Sequence, residues 1–193
     1  MAGNNRYTAL LDANVLYSVA ISDALMEVAA TGIYAAKWSR QVDEEWVRNL
    51  AKNKGRPEID FHTRRDLMHD VCPDWEVPEE AWMIIEPSLK LPDVNDRHVL
   101  AAAIAGHADS IVTINIKDFP ASELNPLGIT ALHPDEFLLQ QLELEPLVVL
   151  PAFKVMRARL KNPAFTLEKF ADVLERNGLI QTAAFLRQAL QLI

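Results

Sequence analysis

Short apolar runs alternate with amphipathic stretches over the first two thirds of the chain. The runs have the length of buried strands, and the stretches between them place apolar residues at helical spacing. The predicted strands are Tyr7–Leu11, Ile33–Trp38, Asp109–Thr113 and Gly128–Leu132. Such alternation is typical of an α/β fold with a central, mainly parallel sheet in a three-layer arrangement.

Polar residues mark the expected starts and ends of the intervening helices. Ser22–Asp23 is the predicted cap of a helix that continues to Gly32. Ser39 is the predicted N-cap of a second helix, which ends near Asn53–Gly55. A third helix is predicted over residues 60–71, and Glu79–Leu89 is compatible with either a helix or a strand.

From Pro134 onward the strand pattern stops, and helices alone are predicted. They cover Asp135–Leu144, Phe153–Leu160, Leu167–Arg176 and Ile180–Leu192, with Thr166 as a cap and Asn177–Gly178 as a break. Helices shorter than about 15 residues are marginal alone, so this part is expected to dock on the α/β part or on a partner. We therefore divide the chain into an α/β domain, residues 1–138, and an all-helical extension, residues 139–193.

The composition indicates a globular protein from a reducing compartment. Half of the 193 residues are apolar, and the lone cysteine, Cys72, excludes an internal disulfide framework. The N-terminal residues do not resemble a secretory signal, and no run reaches the roughly 18 apolar residues of a membrane span. The expectation is a cytoplasmic protein with no membrane contact.

The net charge of −8 by itself disfavours a nucleic-acid partner, but the charges are unevenly distributed. The segment Lys37–Arg65 contains eight basic and five acidic residues, and a second basic group comprises Lys154, Arg157, Arg159 and Lys161. Either group is able to steer phosphate, although solvated helix faces are the simpler interpretation.

Polar side chains end apolar segments at four places, Asp12, Glu45, Asp96 and Asn115. The carboxyl ends of parallel strands meet at one edge of a sheet, where ligands collect. Carboxylates drawn together there repel one another unless a hard cation such as Mg²⁺ or Mn²⁺ neutralises them. The pattern predicts a metal-dependent phosphoryl site.

These segments resemble the four motifs of a PIN domain, the nuclease domain of VapC-type toxins. DANVL follows the first strand, SRQVDEEW lies on a helix, and PDVNDRHVLAAAIAGHADSIVT and NIKDF complete the order. The resemblance covers Tyr7 to Leu138, and the helical tail is similar to an extension that some VapC-type proteins carry. It implies Mg²⁺- or Mn²⁺-dependent hydrolysis of RNA to 5′-phosphate and 3′-hydroxyl ends, with one or two ions.

Matched position by position, the resemblance makes Asp12, Glu45 and Asp96 metal ligands and catalytic residues. Glu44 adjoins Glu45, and a shift of one residue exchanges them. Asn115 stands where many family members have aspartate, so Asp118 is the alternative ligand at the fourth position.

The remaining assignments are supporting ones. Asn14 and Thr113 are expected to support Asp12 and Asn115, Asp93 to cap the helix that presents Asp96, and Arg40 and Arg97 to contact substrate phosphate. His98 and His107 are expected to be packed or surface residues, since a metal-bound water needs no further base. The four tryptophans, Trp38, Trp46, Trp75 and Trp82, are expected in the core or an interface.

The family analogy also implies a cognate antitoxin as partner and a homodimer. Two rival functions stay open from the sequence. One is a non-catalytic PIN-like module that binds RNA or protein, in which Asn115 marks a weakened metal site. The other is a flap-type or other DNA nuclease, which the absence of a recognisable DNA-clamping insertion disfavours.

Overall fold

Parallel strands form the centre of the molecule, as seen in a computed structural model that describes residues 6–161 and 163–189. The strands are β1 (Thr8–Leu11), β2 (Ala35–Lys37), β3 (Ser110–Val112) and β4 (Thr130–Leu132). They pair in the order β2-β1-β3-β4, and all three pairs are parallel. The predicted α/β fold with a parallel sheet is confirmed.

Helices connect the strands and then continue alone to the C-terminus. In the α/β part they are α1 (Ala13–Tyr17), α2 (Val19–Ala30), α3 (Arg40–Lys54), α4 (Ile59–Val71), α5 (Glu79–Trp82), α6 (Arg97–Ala105) and α7 (Ala121–Leu124). Beyond β4 they are α8 (Pro134–Leu144), α9 (Pro146–Arg159), α10 (Leu167–Arg176) and α11 (Ile180–Gln188). Short 3₁₀ turns occupy Glu86–Ser88, Val94–Asp96, Ile116–Asp118 and Asn125–Leu127.

Helix capping follows the sequence prediction at α3 but not at α2. The Ser39 side chain accepts a hydrogen bond from Val42 N, and Gly55 ends α3 in the left-handed conformation at φ +62°. The prediction of Ser22–Asp23 as the cap of α2 was wrong, because Ser18 caps that helix instead. Ser22 lies buried inside α2, where it accepts a hydrogen bond from Arg64 Nη2 at 2.6 Å.

Residues 79–89 form helical turns rather than a strand. Pro78 precedes α5 and Pro87 lies in the following 3₁₀ turn, so neither a ladder nor a long helix is available to this segment. Trp82, at the end of α5, is 2% exposed and anchors the segment to the core.

All four tryptophans are buried, as predicted, and three of them surround a buried acid in α3. Both the Trp38 and the Trp46 indole N–H donate to Asp43 Oδ1 at 3.0 Å. The other carboxylate oxygen lies 2.7 Å from His69 Nε2, and the His69 ring stacks on Trp75 with centroids 4.0 Å apart. This network fixes α3 at Asp43, two residues before Glu45. The sequence did not predict it.

The C-terminal helices dock on the α/β part. Helix α8 contacts α2, α9 and α11, and α9 packs along α2. Helix α9 begins at Pro146 rather than at Phe153 as predicted, because Pro146 stands in the first turn, where its missing N–H costs nothing. Helices α10 and α11 pack against each other as a hairpin, with Thr166 as the predicted N-cap of α10 and the predicted break at Asn177–Gly178 between them. Leu192, the predicted end of the last helix, lies outside the described residues.

A buried carboxylate ties the hairpin to α8. Asp135 is 5% exposed, and its two oxygens accept hydrogen bonds from Gln181 N at 2.8 Å and Thr182 N at 2.9 Å, in the first turn of α11. Within residues 6–161 and 163–189, no helix is long and apolar enough to cross a membrane.

Candidate active site

Asp12 lies where β1 ends and α1 begins, buried to 5% exposure. Its Oδ1 accepts a hydrogen bond from Ala13 N at 2.6 Å, which is a capping contact. Its Oδ2 accepts from Thr113 Oγ1 at 2.7 Å and from Asn14 Nδ2 at 2.5 Å. Strand pairing places β3 beside β1, so residues separated by about a hundred positions meet at the same edge of the sheet.

Asn14 and Thr113 support Asp12 in a hydrogen-bond network. Asn14 Oδ1 accepts from Ile114 N at 3.0 Å, and Thr113 Oγ1 accepts from Asn115 N at 3.0 Å. Both side chains therefore fix the loop after β3 as well as the carboxylate of Asp12. The side chain of Asn115 is exposed and makes no capping hydrogen bond.

Glu45 reaches the site from the second turn of α3. It is half-buried, and its Oε2 lies 3.6 Å from Nε2 of His98, which is 2% exposed. The Nδ1 atom of His98 is buried without a hydrogen-bond partner among the described residues. Glu44 is exposed on the neighbouring face of α3.

The side chain of Asp93 makes the capping contacts expected of it, and the side chain of Asp96 makes none. Asp93 Oδ1 accepts hydrogen bonds from Asn95 N at 2.8 Å and Asn95 Nδ2 at 2.9 Å, so Asp93 caps the 3₁₀ turn before α6. Asp96 occupies the N-cap position of α6, yet its side chain makes no capping hydrogen bond. The half-buried carboxylate of Asp96 is therefore available to a ligand.

The charges of several predicted acids act on the pKa values of Asp96 and Asp12. Burial raises the pKa of Asp96 to about 6, and the negative charges of Asp12, Asp93, Asp118 and Glu45 act in the same direction. Burial also raises the pKa of Asp12, against the hydrogen bond from Thr113, and the charge of Glu45 adds to the effect. The charges of Asp12, Glu45 and Asp118 thus all act on Asp96.

The donor set fits a hard divalent cation in its chemistry, because every candidate ligand is a carboxylate or amide oxygen. Among the residues that the structure describes, no three His, Cys, Asp or Glu side chains already stand close enough together to surround an ion. The groups that would hold such an ion are the carboxylates of Asp12, Glu45, Asp96 and Asp118 and the amide of Asn115.

The two arginines assigned to phosphate differ in their surroundings. Arg40 pairs with both oxygens of Glu76, at 3.0 and 3.2 Å from Nη2, and its side chain is 68% exposed. Arg40 also lines a cavity of about 290 Å³ together with Glu44, Glu45, Arg48 and Trp82. Arg97 is half-buried, with an Nε atom that has no hydrogen-bond partner among the described residues.

Sequence reasoning missed two neighbours of Glu45. His98 was expected to be a packed residue, and it is buried, but its contact with Glu45 was not foreseen. Arg48 lines the same cavity as Glu45. The one signal available was the position of His98, two residues after Asp96 in the third motif. His107 is exposed and lies outside this group.

Asp96→Asn is expected to flatten the dependence of stability on pH. The folded protein holds the Asp96 proton more tightly than the unfolded chain, because the pKa is raised from 3.8 to about 6. The free energy of unfolding therefore falls as pH rises from about 4 to about 6, by on the order of 1 kcal/mol once solvent screening of this half-exposed group is allowed for.

Urea unfolding in the presence of a chelator, at several pH values, measures this effect. The difference between Asp96→Asn and wild type should grow in favour of the variant across that interval. Asp70→Asn, an exposed substitution on α4, is the matched control and should follow wild type. A difference that does not change with pH contradicts the prediction.

Two segments of the chain match known protein families. The sequence model described as the PIN domain matches residues 8–117, and the one described as the VapC50 C-terminal domain matches residues 134–188. A relative from Mycobacterium tuberculosis (strain ATCC 25618 / H37Rv), named "Putative ribonuclease VapC50", is 46% identical over 79 residues. That match covers 41% of this chain and 47% of the relative, about half the relative's length. No solved structure matches the chain.

Proposed function

Because this chain belongs to the PIN domain family, we propose that it is a divalent-metal-dependent endoribonuclease and the toxin of a type II toxin–antitoxin pair. The observation that carries the proposal is the buried carboxylate of Asp12 at the carboxyl edge of the sheet, which Thr113 and Asn14 hold in place. The charges of Asp12, Glu45 and Asp118 also act on Asp96 and raise its pKa. Such a site repels a polyanionic substrate, and a bound cation relieves that repulsion.

Asp12, Glu45 and Asp96 would hold Mg²⁺ or Mn²⁺, with Asn115 or Asp118 in the fourth position. When bound, the ion supplies Lewis acidity to the phosphate and lowers the pKa of a coordinated water. The chain's own residues orient the donors. Thr113 and Asn14 restrain the Asp12 carboxylate on one side, so that its direction is fixed before substrate arrives.

Glu45 is preferred over Glu44 as the ligand, because the charge of Glu45 acts on both Asp12 and Asp96. Asp118 is preferred over Asn115 as the anionic ligand for the same reason, since its charge reaches Asp96. Asn115 follows a loop fixed by Thr113 and keeps its amide exposed to solvent, a position suited to orienting a water or phosphate.

The domain division is proposed as nuclease domain 1–138 and helical extension 139–193. A cognate antitoxin that places an Arg or Lys in the acidic pocket, a homodimer, and a cytoplasmic location complete the proposal. The name of the relative supports the ribonuclease assignment, over the part of that protein which this chain matches.

The test is cleavage of a panel of single-stranded RNA, tRNA and branched DNA by the purified protein. RNA cleavage should appear with Mg²⁺ or Mn²⁺, disappear with a chelator, and leave 5′-phosphate ends. The branched DNA should stay intact. Cleavage that survives the chelator, or cleavage of DNA alone, would refute the assignment.

A second candidate function is a non-catalytic RNA-binding module. The observation that favours it is the exposed amide of Asn115, an uncharged side chain where many family members have aspartate. RNA binding without metal-stimulated cleavage, in wild type as in Asp12→Asn and Asp96→Asn, would support it over the nuclease.

A further inference from the structure

The outer face of α3 carries an exposed row of charged side chains at four-residue spacing. The row comprises Arg40, Glu44, Arg48 and Lys52, and Arg56 follows directly after the helix. Residues four apart lie on one face of a helix, about 6 Å apart along its axis. Glu45, a candidate catalytic residue, projects from the same helix toward the site.

The two central cations of this row have no ion-pair partner among residues 6–161 and 163–189. Arg48 and Lys52 are exposed, and neither makes an ion pair or side-chain hydrogen bond among the described residues. The flanking arginines form ion pairs at the surface, Arg40 with Glu76 and Arg56 with Asp60, and Arg56 also lies 5.7 Å from the centre of the Phe61 ring. Exposed pairs of this kind contribute little and exchange readily for a stronger anion. The row is therefore free to bind a polyanion.

Two adjoining cavities connect the row to the candidate active site. The first, of about 290 Å³, is lined by Arg40 and Arg48 and by three acids, Glu44, Glu45 and Glu79, so RNA that enters it depends on the two arginines and on neutralisation of these acids. The second, of about 530 Å³, is lined by Arg48, Lys52, Gly55, Arg56 and Pro57 among others. Arg48 belongs to both, so a strand that enters the first cavity at Glu45 continues into the second past this side chain.

We propose that Arg40, Arg48, Lys52 and Arg56 form a track for the backbone of single-stranded RNA on one side of the scissile phosphate. This inference rests on the proposed function. The protein carries a net charge of −8, so a basic row that begins at the acidic site is matched to a polyanion. A single row on one helix fits one backbone rather than the two of a duplex.

The experiment compares two double variants that each remove one Arg and one Lys from exposed positions. R48Q/K52Q removes two positive charges from the track, and K154Q/R176Q removes two positive charges from α9 and α10. Binding of a labelled, unstructured 12-nucleotide RNA is followed by fluorescence anisotropy at several salt concentrations. A chelator is present so that no RNA is cleaved. Unchanged urea midpoints show that both variants fold.

R48Q/K52Q should weaken binding about tenfold and reduce the slope of log Kd against log salt by about 1.4, because each phosphate contact on a single strand contributes about 0.7. K154Q/R176Q should bind like wild type. A dinucleotide, whose single phosphate cannot occupy the site at Glu45 and the track at the same time, should lose much less affinity in R48Q/K52Q than the 12-nucleotide RNA does. Equal weakening in both double variants would overturn the track, since net charge alone would then explain it.

A failure of the track and a failure of the proposed nuclease function give different results. Wild type that cleaves RNA with metal while both variants bind equally well keeps the nuclease and removes the track. Wild type that binds RNA through Arg48 and Lys52 but never cleaves it keeps the track and removes the nuclease.

Discussion

Asp12→Asn is expected to lower metal-stimulated RNA cleavage by about 100-fold or more while leaving stability close to that of wild type, because the benefit of losing the buried charge is offset by a donor that the single amide oxygen cannot satisfy. The carboxylate is 5% exposed, and burial raises its pKa, so the charged form is disfavoured in the folded protein. An amide of the same shape removes that penalty. It also removes the negative charge that a divalent ion needs, which is the source of the loss in rate.

Cleavage rates and urea midpoints of the same preparations separate these two effects. Asp70→Asn changes an exposed acid on α4 and should keep both the rate and the midpoint of wild type. The asparagine in the variant still accepts from Thr113, so the loop after β3 should hold. A variant that loses activity only because it unfolds would show a lowered midpoint, and this outcome would contradict the assigned role of Asp12.

Asp135→Ala is expected to destabilise the protein by about 3 kcal/mol and to release the α10–α11 hairpin. Both oxygens of this buried carboxylate accept backbone hydrogen bonds from the first turn of α11, at Gln181 and Thr182. A hydrogen bond to a charged group contributes about 1.5–3 kcal/mol, and alanine leaves two donors without an acceptor. The hairpin makes few other polar contacts with α8.

Urea unfolding measures the loss of stability, and limited proteolysis between α9 and α10 detects release of the hairpin. Glu136→Ala, the adjacent exposed position on α8, is the control and should change stability by less than about 0.5 kcal/mol. If Asp135→Ala matched that control, apolar packing of Phe153, Phe170 and Leu186 would be sufficient to hold the hairpin.

The prediction from sequence was most accurate where a local signal decides the structure. Ser39, Gly55 and Thr166 act as caps in the positions predicted for them, because capping depends on a few neighbouring residues. It failed at α2, where Ser18 and Ser22 are both suitable caps in sequence. Burial of Ser22 against Arg64 decided between them, and that contact joins residues 42 positions apart.

Some features of the candidate site were also predictable from the sequence and others were not. The order of Asp12, Glu45, Asp96 and Asn115 after apolar segments was visible in the sequence, and so was the pairing of Asp93 as cap with Asp96 as ligand. Their ligand roles stay predictions until the variants are measured. The Asp43 network, the contact of His98 with Glu45, and the cavity at Arg48 had no sequence signal specific enough to find them.

The sequence by itself determined the strands, most of the helices and the chain order of the acids, because periodicity and capping are set by nearby residues. The tertiary structure alone decided which acids act on one another, and with what sign. The raised pKa values of Asp12 and Asp96 arise from desolvation and from charges that lie tens of residues away in the chain. Both effects depend on distance in space, and only the packing of α3, α6 and β3 around β1 sets that distance.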